Sequence, residues 1–415
     1  MATREMTQSD LERQIDELAR MSLMISPNPA NVLFVGRAGG RLIDNCKYAF
    51  LEACQNDYGF SPLFLTWYKD EYIKLSKAAL PVAMFPNDIK KIALCGSVVC
   101  DDFWWRTEPV YALLHNRPSF QLWHGIPLKA IGSTEIASKV NMDADKAKYL
   151  QSMYSGYNAV LSTSEYVSSN IFSRVFFDGE FVIAGYPRND VLLRKPTAMD
   201  MMGSDAELLG RIRAHKRSGG KAAFFMPTFR DSGGDLFSDQ ALDFVALNKL
   251  CAECNLLMVI KLHPFVDVQI EGSLANLVVM KSGHDAYPLL GQADFLITDY
   301  SSVYFDFLLT GRPVLFYTYD LEKYISKDRE FMLDFAAMSP GLKVRTQAEL
   351  FAAIRDISEN GDDGFAMQRE HLSRLLFAHQ DARSSQRVCE FVSSSLVPKA
   401  SEYAKTRENI MPHQQ

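Results

Sequence analysis

The amino-acid sequence predicts an α/β protein with two parallel, doubly wound sheets. Short apolar runs of strand length recur along the chain, and segments with helical spacing of apolar residues separate most of them. A polar, helical stretch near residues 190–221 divides these runs into two series. Buried strands that alternate with helices are typical of parallel sheets covered by helices on both faces. We therefore expect two α/β halves that face each other across a cleft.

The first element is a predicted helix over residues 7–24. Leu11, Ile15 and Leu18 recur at helical spacing, and Ser9 or Asp10 can cap the start of the helix. This helix could pack against the rest of the chain or support oligomerisation, and packing is the simpler interpretation. The sequence leaves the oligomeric state open.

Two series of predicted strands follow. The first comprises residues 32–35, 62–67, 92–95, 119–123, 159–163 and 181–185, and the second comprises residues 222–226, 256–262, 277–280, 295–298 and 314–317. The glycine-rich turn at 36–40 lacks the GxGxxG spacing of a dinucleotide site, so it predicts a tight turn or a close approach to a ligand. A last amphipathic segment, from Arg383 to Ser395, is expected to pack back across both halves.

This pattern predicts a division of the chain into four parts. They are an N-terminal helix at 1–28, a first α/β domain at 29–200, a second α/β domain at 201–382, and a C-terminal helix and tail at 383–415. The boundary between the two domains is placed in the polar stretch that follows Pro196, which has the character of a linker.

The composition describes an ordinary globular protein. Of the 415 residues, 47% are hydrophobic and 23% are charged, which suits sizeable cores. The net charge of −6 argues against a general nucleic-acid binder, which usually has a basic surface. Seven cysteines without regular spacing suit a reducing cytosol better than a disulfide framework. No apolar stretch reaches the roughly 20 residues of a membrane span, so we expect a cytoplasmic protein that could still touch a membrane surface.

The stretch from Thr298 to Asp306 predicts a strand-to-helix turn. Asp299, Ser301 and Ser302 would lie in this turn, where hydroxyl groups can cap the helix and free backbone N–H groups point outward. A helix start of this kind favours anions, so the turn could bind phosphate at the carboxyl end of a parallel sheet. It could equally be an ordinary cap between a strand and a helix.

Other polar residues follow predicted strands in the same way. His124 lies in a loop beside Gly125 and Lys129, and could act as a base. Arg230 could hold a phosphate with two hydrogen bonds, and His263 could donate a hydrogen bond to a phosphate oxygen. Each could instead be a loop-packing residue. Because open α/β sheets bind ligands at the edge where the strands end, we expect these groups to lie together with Ser301 and Ser302.

Six ordered motifs carry a family resemblance over about residues 120–335. They are Trp123-His-Gly-Ile-Pro-Leu-Lys-Ala-Ile-Gly132, Gly185-Tyr-Pro-Arg-Asn-Asp190, Pro227-Thr-Phe-Arg-Asp231, Lys261-Leu-His-Pro264, Ile297-Thr-Asp-Tyr-Ser-Ser-Val-Tyr-Phe-Asp306 and Arg312-Pro-Val-Leu-Phe-Tyr-Thr-Tyr-Asp320. With these motifs the chain resembles the CDP-glycerol glycerophosphotransferase family, which includes teichoic-acid primases and polymerases and related capsule polymerases.

The resemblance implies a GT-B-like fold, in which two Rossmann-like doubly wound domains face a cleft. The first would take the acceptor and the second would take CDP-glycerol. The implied reaction moves glycerol phosphate to a hydroxyl of a glycan or polyol-phosphate acceptor and releases CMP, in the synthesis of teichoic acid, capsule or lipopolysaccharide. The acceptor could be lipid-linked, and the enzyme could then work at the inner face of the plasma membrane. No metal, cofactor or nucleic-acid partner is expected.

The resemblance also assigns roles to single residues. His124 would be the general base, and His263 would be the second catalytic histidine, which helps to hold the pyrophosphate of the donor. The residues expected to hold the pyrophosphate of the donor are Arg230, Ser301, Ser302 and Thr298. Further candidates for the site are Gly125, Lys129, Thr228, Lys261 and Asp299, of which Asp299 is expected to shape the turn.

Some features depart from the family pattern and keep alternatives open. Arg329-Glu-Phe-Met-Leu-Asp334 lacks the glycine that the family commonly has there, which leaves the choice of polyol open. The donor could therefore be CDP-ribitol or a nucleotide sugar. An alternative of another class is a non-catalytic scaffold in an envelope-assembly complex. The absence of an obvious extra acceptor-recognition domain favours a single addition over processive polymerisation.

Overall fold

The computed structural model describes residues 8–138, 142–228, 230, 241–262, 274–327 and 330–396. Within these residues, seven parallel strands form one sheet in the order β3-β2-β1-β4-β5-β6-β7. Their bounds are β1 Asn28–Val35, β2 Ser61–Thr66, β3 Val82–Met84, β4 Cys95–Cys100, β5 Ser119–Gln121, β6 Ala159–Ser162 and β7 Glu180–Ile183. The strand order reverses between β1 and β4.

The other strands of the described residues form a second parallel sheet, in the order β10-β9-β8-β11-β12-β13. Their bounds are β8 Lys221–Met226, β9 Leu256–Ile260, β10 Leu277–Val279, β11 Phe295–Thr298, β12 Val314–Tyr317 and β13 Leu342–Val344. The order of this sheet reverses between β8 and β11. The predicted α/β class and the parallel sheets are therefore confirmed.

Helices connect most of the strands. Their bounds are α1 Gln8–Met24, α2 Arg37–Gly40, α3 Asp44–Gln55, α4 Lys69–Lys77, α5 Ile89–Ala93, α6 Val110–Leu114, α7 Ser133–Ser138, α8 Ala144–Met153, α9 Glu165–Asn170, α10 Asp190–Leu193, α11 Ala206–Arg217, α12 Phe244–Glu253, α13 Tyr287–Leu290, α14 Val303–Phe307, α15 Leu321–Lys327, α16 Phe335–Met338, α17 Gln347–Asn360, α18 Ala366–Leu376 and α19 Ser384–Leu396. Short 3₁₀ turns lie at Trp104–Thr107, Phe172–Arg174, Pro187–Asn189 and Leu308–Thr310. The predicted N-terminal helix is confirmed as α1, which packs against α6.

The buried strands explain how the two sheets join. One apolar cluster includes residues from β1 and β4 of the first sheet and from β8, β11 and β12 of the second. A second cluster lies on the other face of the second sheet, with Phe225, Ile297 and Leu315 at its centre. Side chains alternate between the faces of a strand, so Phe224 and Leu296 face the shared cluster while their neighbours face the second one. The two sheets therefore pack as one body around a continuous core.

One predicted strand is wrong and two strands were missed. Residues 92–95 were expected to be a strand, but Ile92 and Ala93 belong to α5, and the strand β4 begins only at Cys95. Asp88 explains the helical turn, because its carbonyl oxygen accepts hydrogen bonds from Lys91 and Ile92. A short apolar run cannot distinguish a buried helical turn from a strand. The missed strands, β3 and β13, have three residues each and lie at sheet edges.

The chain crosses back from the second sheet to the first through α19. The Asp190 carboxylate accepts hydrogen bonds from the backbone N–H groups of Ser384 and Ser385, both at 2.9 Å, and from the Ser385 hydroxyl at 2.7 Å. Farther along α19, the Ser393 hydroxyl donates to the Tyr58 carbonyl at 2.6 Å. The predicted C-terminal helix thus packs on the first half of the chain. The four-part division of the chain stays a prediction.

Of the helices that the structure describes, none combines the length and the apolar character that a membrane crossing would need.

The start of α19 gives a test of this packing. Asp190→Ala removes the buried acceptor for three hydrogen bonds, and hydrogen bonds to a charged group are worth more than neutral ones. We expect the free energy of unfolding to fall by about 2–3 kcal/mol, measured by chemical denaturation. The control is Asp205→Ala, which removes a cap hydrogen bond to the Leu208 N–H of α11 and should cost about 1 kcal/mol. A loss for Asp190→Ala no larger than that of the control would contradict the assignment.

Candidate active site

Polar side chains gather at the carboxyl ends of strands, close to the point where the strand order of each sheet reverses. In the first sheet, Asp101 follows β4 and His124 follows β5 after two residues. In the second sheet, Thr228 follows β8 and the turn at 299–302 follows β11. Such reversal points are where open α/β sheets bind their ligands. The candidate site therefore lies where the sequence predicts it, at the strand ends.

His124 is held in one orientation. Its Nδ1 lies 2.9 Å from the carbonyl oxygen of Asp101, and its ring stacks on that of Trp123 with the centroids 4.1 Å apart. A carbonyl oxygen can only accept, so Nδ1 carries the proton in this hydrogen bond and Nε2 keeps its lone pair. The half-buried ring is thus set up to take a proton at Nε2.

The backbone before His124 is strained and firmly fixed. Trp123 has a φ of 56°, in the left-handed region that a non-glycine residue rarely adopts. Its N–H donates to the side chain of Gln121 at 2.9 Å, and its carbonyl accepts from the side chain of Asn45 at 2.8 Å. Strained backbone of this kind persists where surrounding contacts hold it, and it is common at functional sites.

The environment of His124 favours the neutral ring. Burial and the positive charge of Arg37 together lower the pKa of the imidazole to about 4, against the opposing effects of Asp102 and Asp44. Arg37 follows β1 and forms ion pairs with Asp44 at 3.0 Å and Asp102 at 3.5 Å. Near neutral pH, His124 is therefore an unprotonated base.

Gly125 brings this loop against the second half of the chain. Its φ is 130°, and an ideal Cβ at this position would lie 2.8 Å from Nη2 of Arg188 and 3.6 Å from the hydroxyl oxygen of Ser302. Only a glycine fits such a contact without displacing the guanidinium. The His124 loop and the Ser301–Ser302 turn are thus neighbours.

Asp299 shapes the turn between β11 and α14. Its carboxylate accepts hydrogen bonds from the Thr228 N–H at 2.9 and 3.0 Å and from the Tyr300 N–H at 2.5 Å. These bonds tie the end of β8 to the end of β11. Ser301 and Ser302 follow and are half-buried, while Ser302 makes no side-chain capping bond to α14. The Ser302 hydroxyl therefore does not form the cap that the sequence allows, and it makes no hydrogen bond to the first N–H groups of α14.

Arg230 does not present an open guanidinium. Its side chain is 2% exposed and forms two hydrogen bonds with the carboxylate of Asp320, at 2.7 and 3.0 Å. Its Nη1 donates to the Thr228 carbonyl at 2.7 Å and lies 2.9 Å from Asp299. The guanidinium is thus paired with carboxylates and orders the turn. A contact with phosphate stays a prediction.

Two threonines at the strand ends differ in what they offer. The Thr298 side chain is fully buried, and its hydroxyl donates to the Met226 carbonyl at 2.7 Å. This geometry gives Thr298 a role inside the sheet and lends no support to a direct contact with the donor. The Thr228 hydroxyl oxygen is buried and has no hydrogen-bond partner among the described residues. Of the two threonines, Thr228 is the better placed to bind a ligand oxygen.

Two lysines complete the predicted set. Lys261 follows β9 and is half-buried; burial lowers the pKa of its ammonium, and the negative charge of Asp285 opposes that effect. The Lys129 ammonium lies 5.1 Å from the centroid of the Tyr324 ring. Its loop also pairs with residues 330–332, because the Ala130 N–H donates to the Glu330 carbonyl at 2.9 Å. The loop that begins at His124 therefore contacts the second half at two places.

The remaining predicted site residue, His263, lies outside the described residues, as do residues 229, 231 and 264 of the motifs. In the described ranges, no group of three or more His, Cys, Asp or Glu side chains is placed to hold a metal ion. The expectation of metal-independent chemistry stays a prediction.

Sequence reasoning missed two residues of the site. Asp101 orients His124, and it was overlooked because the preceding strand was placed at 92–95 rather than at β4. Arg188 joins the two halves of the site, with its guanidinium 2.8 Å from Asp44 and 2.5 Å from Asp306. The sequence does point to Arg188, because this residue belongs to the motif at 185–190. That motif supports the family resemblance, but it does not by itself indicate a role in the site.

Comparisons with known proteins agree with the resemblance. The chain is 27% identical over 332 residues to the teichoic acid ribitol-phosphate primase of Bacillus spizizenii, a match that covers 79% of this chain and 82% of the primase. It is 29% identical over 290 residues to the teichoic acid glycerol-phosphate transferase of Staphylococcus aureus, which covers 66% of this chain and 70% of that protein.

The structure of the wall teichoic acid polymerase TagF has the same fold. The two structures match with a TM-score of 0.72 and 20% sequence identity, over 97% of this chain and 96% of the polymerase chain. The sequence model of CDP-glycerol:poly(glycerophosphate) glycerophosphotransferases matches residues 17–394, which is most of the chain. The protein therefore belongs to the CDP-glycerol:poly(glycerophosphate) glycerophosphotransferase family.

Proposed function

We propose that this protein transfers glycerol phosphate from CDP-glycerol to a hydroxyl of a glycan or polyol-phosphate acceptor, with release of CMP, in teichoic acid or a related envelope polymer. The acceptor oxygen forms a bond to the phosphorus that carries the glycerol. The bond from that phosphorus to the bridging oxygen breaks, and CMP leaves with the bridging oxygen. The proton of the acceptor hydroxyl passes to Nε2 of His124.

The observation that carries this proposal is the geometry of His124. Its Nδ1–H is bound to the Asp101 carbonyl at 2.9 Å, which leaves Nε2 as the basic atom. The neighbouring Gly125 lies against Ser302 of the second half. A base on one side and the turn of a nucleotide site on the other suit phosphoryl transfer, which depends mainly on positioning and on charge stabilisation.

The proposal divides the substrates between the two halves. We take the two sheets to be the Rossmann-like domains of a GT-B-like arrangement, with the acceptor in the first and the CDP-polyol in the second. Ser301 and Ser302 would then contact the pyrophosphate, with the Thr228 hydroxyl, which has no partner among the described residues, at the end of the neighbouring strand β8. Burial lowers the pKa of the Lys261 ammonium despite the negative charge of Asp285, so this lysine would gain from an anionic ligand at the same edge of the sheet. A lipid-linked acceptor would place the enzyme at the inner face of the plasma membrane.

CDP-ribitol is the second candidate donor. The similarity to a ribitol-phosphate primase over most of both chains favours it. The missing glycine in the segment that ends at Asp334 leaves the choice of polyol open. Since the family contains transferases named for either polyol, the distinction between the two donors calls for direct measurement.

The donor test measures CMP release by chromatography. We expect the purified protein to release CMP from CDP-glycerol when a polyol-phosphate or lipid-linked glycan acceptor is added, and to leave a UDP-sugar intact. CDP-ribitol is assayed in parallel, and the mass of the product shows whether one unit or several are added, one being the expected number. Release from CDP-ribitol alone would change the assigned polyol. No CMP from either compound would overturn the proposal and favour a scaffold.

The second test concerns the base. His124→Ala should lower kcat by about 10²–10⁴-fold, the usual contribution of a general base. Because the pKa of His124 lies near 4, the acid limb of the kcat/KM profile should fall near pH 4, well below the limb of an ordinary imidazole. Arg37→Gln removes a charge that lowers this pKa, so it should move the limb to higher pH. Activity in both variants is measured from CMP release.

His115→Ala is the matched control for this test. His115 is exposed and follows α6, near the amino-terminal edge of the first sheet, so its removal should leave kcat and the pH profile unchanged. Full activity of His124→Ala, or a wild-type limb near pH 6.5 that Arg37→Gln does not move, would contradict the role of His124.

The third test concerns the turn. Ser301→Ala and Ser302→Ala should each raise KM for the CDP-polyol by about 10-fold, because each removes a hydrogen bond to a charged group. KM for the acceptor should change little, since the acceptor binds on the other side. Ser218→Ala, an exposed serine after α11, serves as the control. Unchanged donor KM in both turn variants would show that these hydroxyls do not contact the donor.

A further inference from the structure

Arg188 lies at the joint between the loop of the base and the turn of the donor site. It follows β7, within the 3₁₀ turn Pro187–Asn189, and its side chain is only 4% exposed. Its Nη1 lies 2.8 Å from Asp44, which is the first residue of α3 in the first half of the chain. Its Nη2 lies 2.5 Å from Asp306 in α14, which follows the Ser301–Ser302 turn. The guanidinium thus bridges elements of both halves.

The first contact of Arg188 supports the His124 loop. An ideal Cβ on Gly125 would be 2.8 Å from Nη2, so the loop backbone lies directly against the guanidinium. Asn45 strengthens this support: its Oδ1 accepts from the Arg188 N–H at 3.1 Å, and its Nδ2 donates to the Trp123 carbonyl at 2.8 Å. The position of the loop therefore follows the position of Arg188.

The second contact fixes the donor turn. Besides Arg188, the buried Asp306 carboxylate accepts a hydrogen bond from the Tyr287 hydroxyl at 2.6 Å and from the Asn189 side chain at 3.0 Å. Asp306 lies on α14 one turn after Ser302, so a displacement of its carboxylate moves the start of that helix. The same guanidinium thereby sets the places of both loops.

We propose that Arg188 is a positioning residue, which sets the alignment of the His124 loop with the Ser301–Ser302 turn through its paired contacts with Asp306 and Gly125. The inference rests on the proposed function, in which the base and the donor must meet. A purely stabilising role explains the network less well, because buried ion pairs often add little stability over apolar replacements. The planar guanidinium of Arg188 can instead hold its partners in a fixed geometry, and so align the His124 loop with the Ser301–Ser302 turn.

If Arg188 aligns the two sides of the site, its replacement should lower kcat and leave substrate binding nearly unchanged. Each substrate contacts its own half, so a change in their relative placement leaves both affinities nearly intact. A misplacement of about 1 Å can lower the rate about 100-fold. Arg188→Lys keeps the positive charge but cannot hold two carboxylates with a planar fork. We expect kcat to fall about 100-fold, with KM for donor and acceptor within about threefold of wild type.

Arg369→Lys is the matched control. Arg369 is also a buried arginine, 2% exposed and paired with Asp363 at 2.5 Å, and its Nε donates to the Gly311 carbonyl at 3.4 Å. It lies toward the amino-terminal end of β12, away from the site. We expect both lysine variants to lower the melting temperature to a similar extent, while only Arg188→Lys lowers kcat.

Gly125→Ala tests the same contact from the other side. The new Cβ would lie 2.8 Å from the Arg188 guanidinium without removing a charge, and the φ of 130° would also strain an alanine at this position. We therefore expect lower kcat and unchanged KM. The double variant should lose less than the product of the two single losses, because both remove one shared contact. If Arg188→Lys fails to fold, Gly125→Ala carries the test through hydrogen–deuterium exchange. Displacement of Arg188 should speed exchange in peptide 298–306 as well as in 122–132, whereas backbone strain at residue 125 alone should affect only peptide 122–132 and would overturn the proposal.

Hydrogen–deuterium exchange gives a readout that does not depend on turnover. We expect faster exchange in both peptides 122–132 and 298–306 of Arg188→Lys, and no change in either peptide of Arg369→Lys. This result would support the coupling even if the wild-type protein turned over no CDP-polyol. The lack of turnover would refute only the proposed function. Faster exchange in one peptide alone, or equal kcat losses in the two lysine variants, would overturn the proposal.

Discussion

The buried guanidinium of Arg188 between Asp44 and Asp306 is the interaction on which the joint between the two sheets depends. Removing a charged group from water costs several kcal/mol, and only close partners of opposite charge offset that cost. Here the offset comes from carboxylates on both sides of the joint. A second buried pair, Lys47 with Asp285 at 2.7 Å, lies at the same joint and also links the first half to the second. The halves are therefore matched by charge as well as by apolar packing.

The same charges set the chemistry of His124. Asp44 belongs to the joint through Arg188 and to the surroundings of His124 through Arg37. The pKa of Asp44 is held at about 2 by these two arginines against the effect of burial, so its carboxylate stays charged. Burial and Arg37 in turn keep the His124 ring neutral. A base that is unprotonated near neutral pH thus follows from the arrangement that joins the sheets.

Much of this arrangement can be predicted from the sequence, and the parts that cannot be predicted have physical reasons. Strand runs and the residues that follow them predict the parallel sheets, the place of His124 and the shaping role of Asp299. Periodicity does not resolve a short apolar run, so the strand before Asp101 was misplaced and Asp101 itself was missed. The partners of Arg230 could not be predicted either. An arginine in a loop after a strand suits a phosphate, yet Asp320, which occupies it, lies 90 residues farther along the chain.

The partners of Arg230 and Arg188 bear on how an anionic donor is held. Both guanidinium groups lie near the strand ends, and both are paired with carboxylates that are themselves buried. Their charge is therefore largely neutralised within the protein, and they contribute rigidity more than attraction for phosphate. Two other groups are less satisfied and are better candidates for binding the donor. The Thr228 hydroxyl lacks a partner among the described residues, and burial lowers the pKa of the Lys261 ammonium. A diphosphate beside Lys261 would offset the cost of burying its ammonium, so ligand and lysine would stabilise each other. In the proposed function, the arginines would hold the strand ends in place, and the Thr228 hydroxyl and the Lys261 ammonium would bind the donor between them.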